Sequence, residues 1–95
     1  MAAYVLANIE VTDPAAYDEY RKGVGATVTQ FGGRFLARGG ATERLEGSFV
    51  PERFVILEFP SMSAAKAWYA SPEYAPLLAL RQRASKGDLF ITEGA

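Results

Sequence analysis

Tyr4-Val5-Leu6-Ala7-Asn8-Ile9-Glu10-Val11 is the stretch whose reading decides the fold. Its β-branched and aromatic residues mark a strand. Side chains alternate along a strand, so the run divides into two faces. Val5, Ala7, Ile9 and Val11 form a wholly apolar face suited to cover by helices. Tyr4, Leu6, Asn8 and Glu10 form a mixed one. Whatever follows in the chain must cover the first face and account for the second.

Working outward, Asp13-Pro14 gives a helix start, with Asp as N-cap and Pro at the first helical position. Tyr17, Tyr20, Val24, Val28 and Phe31 then recur at helical spacing and form one stripe. Gly23 and Gly25 weaken this helix, and mark a kink or a place where the sheet lies close. Gly32-Gly33 ends it. Arg34 to Arg38 reads as a second strand, closed by Gly39-Gly40. Ala41 to Glu52 is a polar connection, and Arg53 to Phe59 is a third strand ended by Pro60. Ser61-Met62-Ser63 offers caps for a helix over about Ala64 to Ala70, and Pro72 restarts helix to about Arg83. Gly87 opens a last strand, Asp88 to Glu93.

The order βαββαβ predicts a single α+β domain over residues 1–95 of the split βαβ, ferredoxin-like plan. Four antiparallel strands are expected in the order 4-1-3-2, with helices on one face only. Alternation then places Phe35 and Ala37 of the second strand, and Val55, Leu57 and Phe59 of the third, under the helices. Arg34, Leu36, Arg38, Phe54, Ile56 and Glu58 fall on the far face. There Tyr4, Leu6, Leu36, Phe54 and Ile56 make an apolar patch that a soluble monomer rarely exposes. A homodimer pairing sheet to sheet through those five residues is therefore expected.

Composition removes many chemistries. The 95 residues include no histidine and no cysteine. That excludes disulfides, a cysteine nucleophile, a Ser-His-Asp triad, Cys/His zinc sites and a histidine-ligated haem. Ten Lys/Arg against eleven Asp/Glu, interleaved along the chain, leave no basic stripe for nucleic acid. No apolar run approaches the length of a membrane span, and the first residues lack the charged start of a signal peptide, so a cytoplasmic location is expected. Glu43, Glu46 and Glu52 in the long connection read as a solvated loop, so no metal site is expected.

The far face also carries polar groups. Arg34–Glu58 and Arg38–Glu10 are expected ion pairs, since a buried charge is costly unless paired. Two readings stay open for them. Either the pairs stitch the dimer, or Arg38 and Asn8 face a small molecule in a cavity. Asn8, Arg38 and Glu58 are thus the candidate catalytic residues, with Glu58 the candidate general base. Tyr17, Tyr20, Arg38 and Trp68 are the candidate ligand-binding residues; a core role competes for Tyr17, Tyr20 and Trp68.

Gly32-Gly33-Arg34-Phe35-Leu36-Ala37-Arg38-Gly39-Gly40, Leu45-Glu46-Gly47, Pro51-Glu52-Arg53 and Glu58-Phe59-Pro60-Ser61 carry a family resemblance. Tyr17, Tyr20-Arg21, Trp68-Tyr69, Ser71-Pro72-Glu73-Tyr74 and Leu80-Arg81 extend it over nearly the whole chain. The sequence resembles the bacterial domain-of-unknown-function 1330 family, grouped with the dimeric α+β barrels. That resemblance implies ferredoxin-like subunits pairing through their sheets, and brings no established catalytic residue. The wider superfamily includes cofactor-free monooxygenases, muconolactone isomerases, haem enzymes and amino-acid-sensing domains. The family itself brings no function. With no histidine for haem, the cofactor-free branch is the one whose polar side-chain types are present here, as Asn8, Trp68, Tyr17, Tyr20 and Arg38. A small-molecule oxygenase or isomerase working without a cofactor is therefore expected. The alternative is a non-catalytic homodimeric ligand-binding or accessory protein.

Overall fold

Asp13 divides the first strand from the first helix by both of its backbone groups and its carboxylate. The computed structural model describes residues 1–95. In it β1 (Ala3–Val11) leads to α1 (Pro14–Gln30), and the Asp13 side chain accepts from Ala16 N at 3.2 Å. Pro14 sits at the first helical position, where its missing N–H costs nothing. Tyr17, Tyr20, Val24, Thr27 and Val28 form the buried stripe of α1. The helix ends where Gly33 N donates to the Val28 carbonyl at 2.9 Å.

The remaining elements are β2 (Arg34–Arg38), β3 (Arg53–Phe59), α2 (Met62–Tyr69), α3 (Ala75–Ala84) and β4 (Ser85–Glu93). The sheet runs β2-β3-β1-β4 with all neighbours antiparallel, which is the ferredoxin-like order expected from the sequence. Helices cover one face. Val5, Ala7 and Ile9 of β1 are buried there with Leu57 and Phe59 of β3, against Tyr17, Tyr20, Val24, Trp68 and Tyr74. Trp68 is the hub of this core: its ring centroid lies 4.2 Å from Tyr74 and 5.4 Å from Phe59. No helix is long and apolar enough to cross a membrane.

Three boundaries differ from the sequence reading. The second helix starts at Met62, because the Ser61 hydroxyl accepts from Ala64 N at 3.1 Å and caps it there. Pro72 does not start α3; Ser71 to Tyr74 make a separate turn, held by Tyr74 N donating to Ser71 Oγ at 3.1 Å. The last strand begins at Ser85, directly after α3, with Gly87 inside it opposite Ile9. No loop is needed, since the Ala84 carbonyl already accepts from Thr12 N and Asp13 N at 2.8 and 3.0 Å. Gly23 marks a close helix rather than the sheet: a Cβ there would stand 3.0 Å from Leu77 of α3.

A larger correction concerns β2. Its pairing with β3 slips between Phe35 and Ala37, so Leu36 is an extra residue in the ladder. Beyond this bulge Ala37 lies opposite Ile56 and Arg38 opposite Val55. Strict alternation sends Arg38 to the far face, but one extra residue inverts the assignment. Arg38 therefore joins the helix side and forms no pair with Glu10, which stands opposite Lys86 on β4. Arg34 precedes the bulge and pairs with Glu58, Nε to Oε1 at 2.7 Å.

Phe59 is fully buried between the sheet and Trp68. Phe59→Ala is expected to cost about 3–5 kcal/mol through lost burial and the cavity left behind. Urea denaturation followed by Trp68 fluorescence checks this; a loss below about 1 kcal/mol would show that the site collapses freely.

Candidate functional site

One row of residues crosses the helix-facing side of the sheet from edge to edge. Arg38 is opposite Val55, Val55 opposite Ala7, and Ala7 opposite Leu89. Ala7 is the smallest of these, and the space its short side chain leaves becomes the floor of a pocket. Tyr17, Tyr20, Arg21 and Val24 of α1 roof it, Trp68 of α2 and Arg81 of α3 close it. The pocket measures about 460 Å³ with its open mouth, and its enclosed part is small. That is room for roughly two waters before any side chain moves. Arg21, exposed and tied only to Asp18 on its own helix, is the wall free to swing.

The lining is apolar apart from four arginines: Arg21, Arg38, Arg53 and Arg81. Arg38 lies over the Phe35 ring at 4.1 Å, and its Nη2 donates to the Arg21 carbonyl at 2.9 Å. Arg53 lies 5.5 Å from the Tyr17 ring, and its Nε is buried with no acceptor. Gly39 makes room for that guanidinium: a Cβ there would collide with it, and its φ of +73° also favours glycine. Arg81 is 8% exposed and donates from Nε to the Tyr74 hydroxyl at 3.4 Å.

Behind Arg81 lies a buried hydroxyl network. Tyr20 and Tyr74 share a hydrogen bond of 2.8 Å. Trp68 Nε1 donates to Thr27 Oγ1 at 3.0 Å, and Thr27 in turn donates to the Val24 carbonyl at 2.7 Å. These bonds hold the Tyr20 and Trp68 walls in place. Burial, reinforced by the neighbouring Tyr74, pushes the Tyr20 phenol far above its ordinary range. Burial raises Tyr74 too, against the hydrogen bonds from Tyr20 and Arg81. Both phenols stay protonated at neutral pH, so neither serves as a base there.

The sequence-derived candidates separate into two groups. Tyr17, Tyr20, Arg38 and Trp68 all line the pocket. Asn8 and Glu58 do not. Their strand positions put them on the far face, where Asn8 Oδ1 accepts from Glu52 N at 2.7 Å and Glu58 is held by Arg34. Asn8, Arg38 and Glu58 thus form no single constellation, because the bulge inverts the strand beyond Leu36, sending Ala37 to the far face and Arg38, alone of the three, to the helix side. Three pocket residues escaped the sequence reading: Arg21, Arg53 and Arg81. Arg53 shares the parity of Val55 and Leu57, and Leu77, Arg81 and Ala84 recur at helical spacing, so the pattern held both. Tyr4, Leu6, Phe54 and Ile56 lie half-buried on the far face, with Leu36 and Phe90 exposed. Leu6 stands between Ile56 and Phe90. No three His, Cys, Asp or Glu side chains gather in a way that could hold a metal ion.

A family model described as a domain of unknown function, DUF1330, matches residues 2–95. The chain belongs to the DUF1330 family. Solved structures resemble this DUF1330 chain in fold. A protein of unknown function from Rhodopseudomonas palustris is 19% identical, with a TM-score of 0.79 over 99% of this chain and 82% of its own. A dimeric ferredoxin-like protein of unknown function from Jannaschia is 14% identical, with a TM-score of 0.72 over 99% of this chain and 100% of its own. SnoaB, a cofactor-independent oxygenase from Streptomyces nogalater, is 14% identical, with a TM-score of 0.65 over 99% of this chain and 92% of its own. No curated protein matches the sequence.

The raised phenols make a pH prediction for this DUF1330 chain. An unfolded tyrosine ionises near pH 10, whereas Tyr20 and Tyr74 keep their protons in the fold, so the unfolded state binds fewer protons above that pH. Stability is expected to be full below about pH 10 and to fall as pH rises beyond it. In Tyr20→Phe/Tyr74→Phe the loss should be shallower. Thermal melting between neutral and strongly alkaline pH reads both; identical slopes would contradict the network.

Proposed function

We propose that this chain is a homodimeric protein that binds a small organic molecule in the pocket beneath α1, acting as a cofactor-free oxygenase or isomerase. The observation that carries the reading is the pocket itself: an apolar chamber on the helix side of the sheet, with Arg38 turned toward it by the bulge. Such chambers, mostly apolar with a few oriented polar groups, are the usual form of a small-molecule site. Cofactor-free chemistry needs an electron-rich substrate held dry and stabilised in its deprotonated form. Guanidinium groups beside an apolar floor favour that anion. The likeness to SnoaB is one of fold and is compatible with this reading.

The homodimer rests on the far face. Leu6, Ile56, Leu36 and Phe90 lie together on a sheet surface that no helix of the chain covers. A second copy placing its own sheet there buries both patches. Leu45, Phe49 and Val50 of the β2–β3 connection are also exposed, and add apolar surface beyond the sheet.

A second reading, a non-catalytic ligand-binding or accessory homodimer, is favoured by one observation. No carboxylate lines the pocket, so no side chain there is an evident general base at neutral pH. In the oxygenase or isomerase reading, the proton leaves to water at the mouth.

Two experiments test the proposal. Native mass spectrometry of freshly purified protein is expected to show twice 10.3 kDa, with a co-purified small molecule. Ala7→Leu fills the pocket floor, and overpacking there costs about 1–3 kcal/mol. It should abolish the bound mass while the dimer persists; a retained ligand would place binding elsewhere. Leu6→Asp or Ile56→Asp should give monomer or insoluble protein in gel filtration, and a soluble dimer of unchanged size would contradict sheet-to-sheet pairing.

A further inference from the structure

The charged lining of the pocket is of one sign. Arg21, Arg38, Arg53 and Arg81 are four of the ten basic residues in a chain that carries eleven acidic ones, yet no Asp or Glu lines the chamber. Of the four only Arg21 has a carboxylate partner, Asp18 at 3.5 Å, which borders the adjoining groove with Arg21 and Arg53. The other ion pairs are Arg34 with Glu58 on the far face and Lys22 with Asp18 and Glu19. Arg38, Arg53 and Arg81 have no carboxylate partner. A guanidinium taken out of water without an anion is costly, most of all for Arg81 at 8% exposure. An anionic ligand would complete a charge balance that the protein leaves open.

The two arginines nearest the β2 edge are also preset for the task. Arg53 is packed between constraints, with Tyr17 beside its guanidinium and Gly39 where a Cβ would collide with it. Its buried Nε lacks an acceptor. Arg38 is flattened on Phe35 and gives one N–H to the Arg21 carbonyl; its other N–H groups have no protein acceptor. A planar guanidinium presents two parallel N–H groups that match the two oxygens of a carboxylate. Beyond them the floor is Val55, Ala7 and Leu89, and the far wall is Tyr20 and Trp68. An apolar body enters there as the exposed Arg21 side chain swings aside, since the chamber at rest holds only about two waters.

We propose that the pocket takes a small aromatic or aliphatic carboxylate, its acid group held by Arg53 and Arg38 and its apolar body lying over Ala7. This rests on the ligand-pocket reading above and names the chemistry of its ligand. Arg81 supplies positive potential from beneath α3, and Tyr74 holds it in place.

Calorimetric titration of the 95-residue chain with benzoate, its neutral isostere benzamide, and inorganic phosphate tests the assignment. Benzoate should bind at least about tenfold tighter than benzamide, a difference of about 1.4 kcal/mol. Arg53→Gln and Arg38→Gln should each weaken benzoate by about tenfold or more and leave benzamide unchanged. Arg53→Lys keeps the charge and should retain part of the preference, while Arg34→Gln, on the opposite face, should change nothing. Should Arg53→Gln fail to fold, the exposed Arg38→Gln carries the test. Equal binding of benzoate and benzamide would overturn the carboxylate assignment while sparing the pocket. Tighter binding of phosphate than of benzoate would overturn it in favour of a phosphate site. Binding of none of the three would overturn the assignment and the pocket reading together.

Discussion

A single four-stranded sheet with helices on one side is the constraint on which the rest of the molecule depends. Each strand has two faces, and the chain covers one of them. On the covered side Val5, Ile9, Leu57, Phe59 and the Trp68–Tyr74 stack supply the hydrophobic burial that offsets ordering the chain. On the other side Leu6, Ile56 and Phe90 occupy neighbouring positions across three strands. The two surfaces differ: one holds the chain together and shapes a chamber, and the other leaves an apolar patch that no helix of the chain covers.

The chamber exists because three local features depart from ideal packing. Ala7 is short where its neighbours across the strands are Val55 and Leu89. Leu36 adds a residue to β2 and so turns Arg38 to the helix side. Gly39, with positive φ and no Cβ, lets the Arg53 guanidinium lie against the end of that strand. Each is a small loss for a tightly packed core, since it leaves space or buries a charge. Together they concentrate unpaired cations around an apolar floor. Stability is recovered behind the chamber, where Tyr20, Tyr74, Thr27 and Trp68 satisfy one another. Local concessions at one place, backed by a rigid wall, are the usual arrangement of a binding site.

Much of this was legible in the sequence, and the exceptions have physical causes. The alternation of Tyr4 to Val11 and the stripe of Tyr17, Tyr20, Val24 and Val28 correctly assign the element order and the core, because both periodicities are imposed by backbone geometry. The Arg34–Glu58 pair lies before the bulge and follows from simple alternation. Arg38 lies after it and does not, since nothing in Phe35-Leu36-Ala37 announces an extra residue. That one slip separates Arg38 from Asn8 and Glu58, with which a regular strand would group it. Arg53 and Arg81 were visible as members of inward-facing stripes, but a charge at such a position carries no mark of the pocket it borders. The start of β4 was missed because α3 needs no loop: Ser85 bonds back to the Arg81 carbonyl at 2.6 Å and the strand begins at once.

The central claim is that the helix side of the sheet is an anion-accepting chamber and the open side is for association. A crystal structure grown with 4-bromobenzoate tests it most directly, because the anomalous signal of bromine fixes the orientation of the molecule. The carboxylate is expected against Arg53 and Arg38, bromine on the Ala7 side toward Trp68, and two sheets facing each other across Leu6 and Ile56. Bromobenzoate lodged on the open sheet face, or the reverse orientation with its acid group buried away from both arginines, would contradict it.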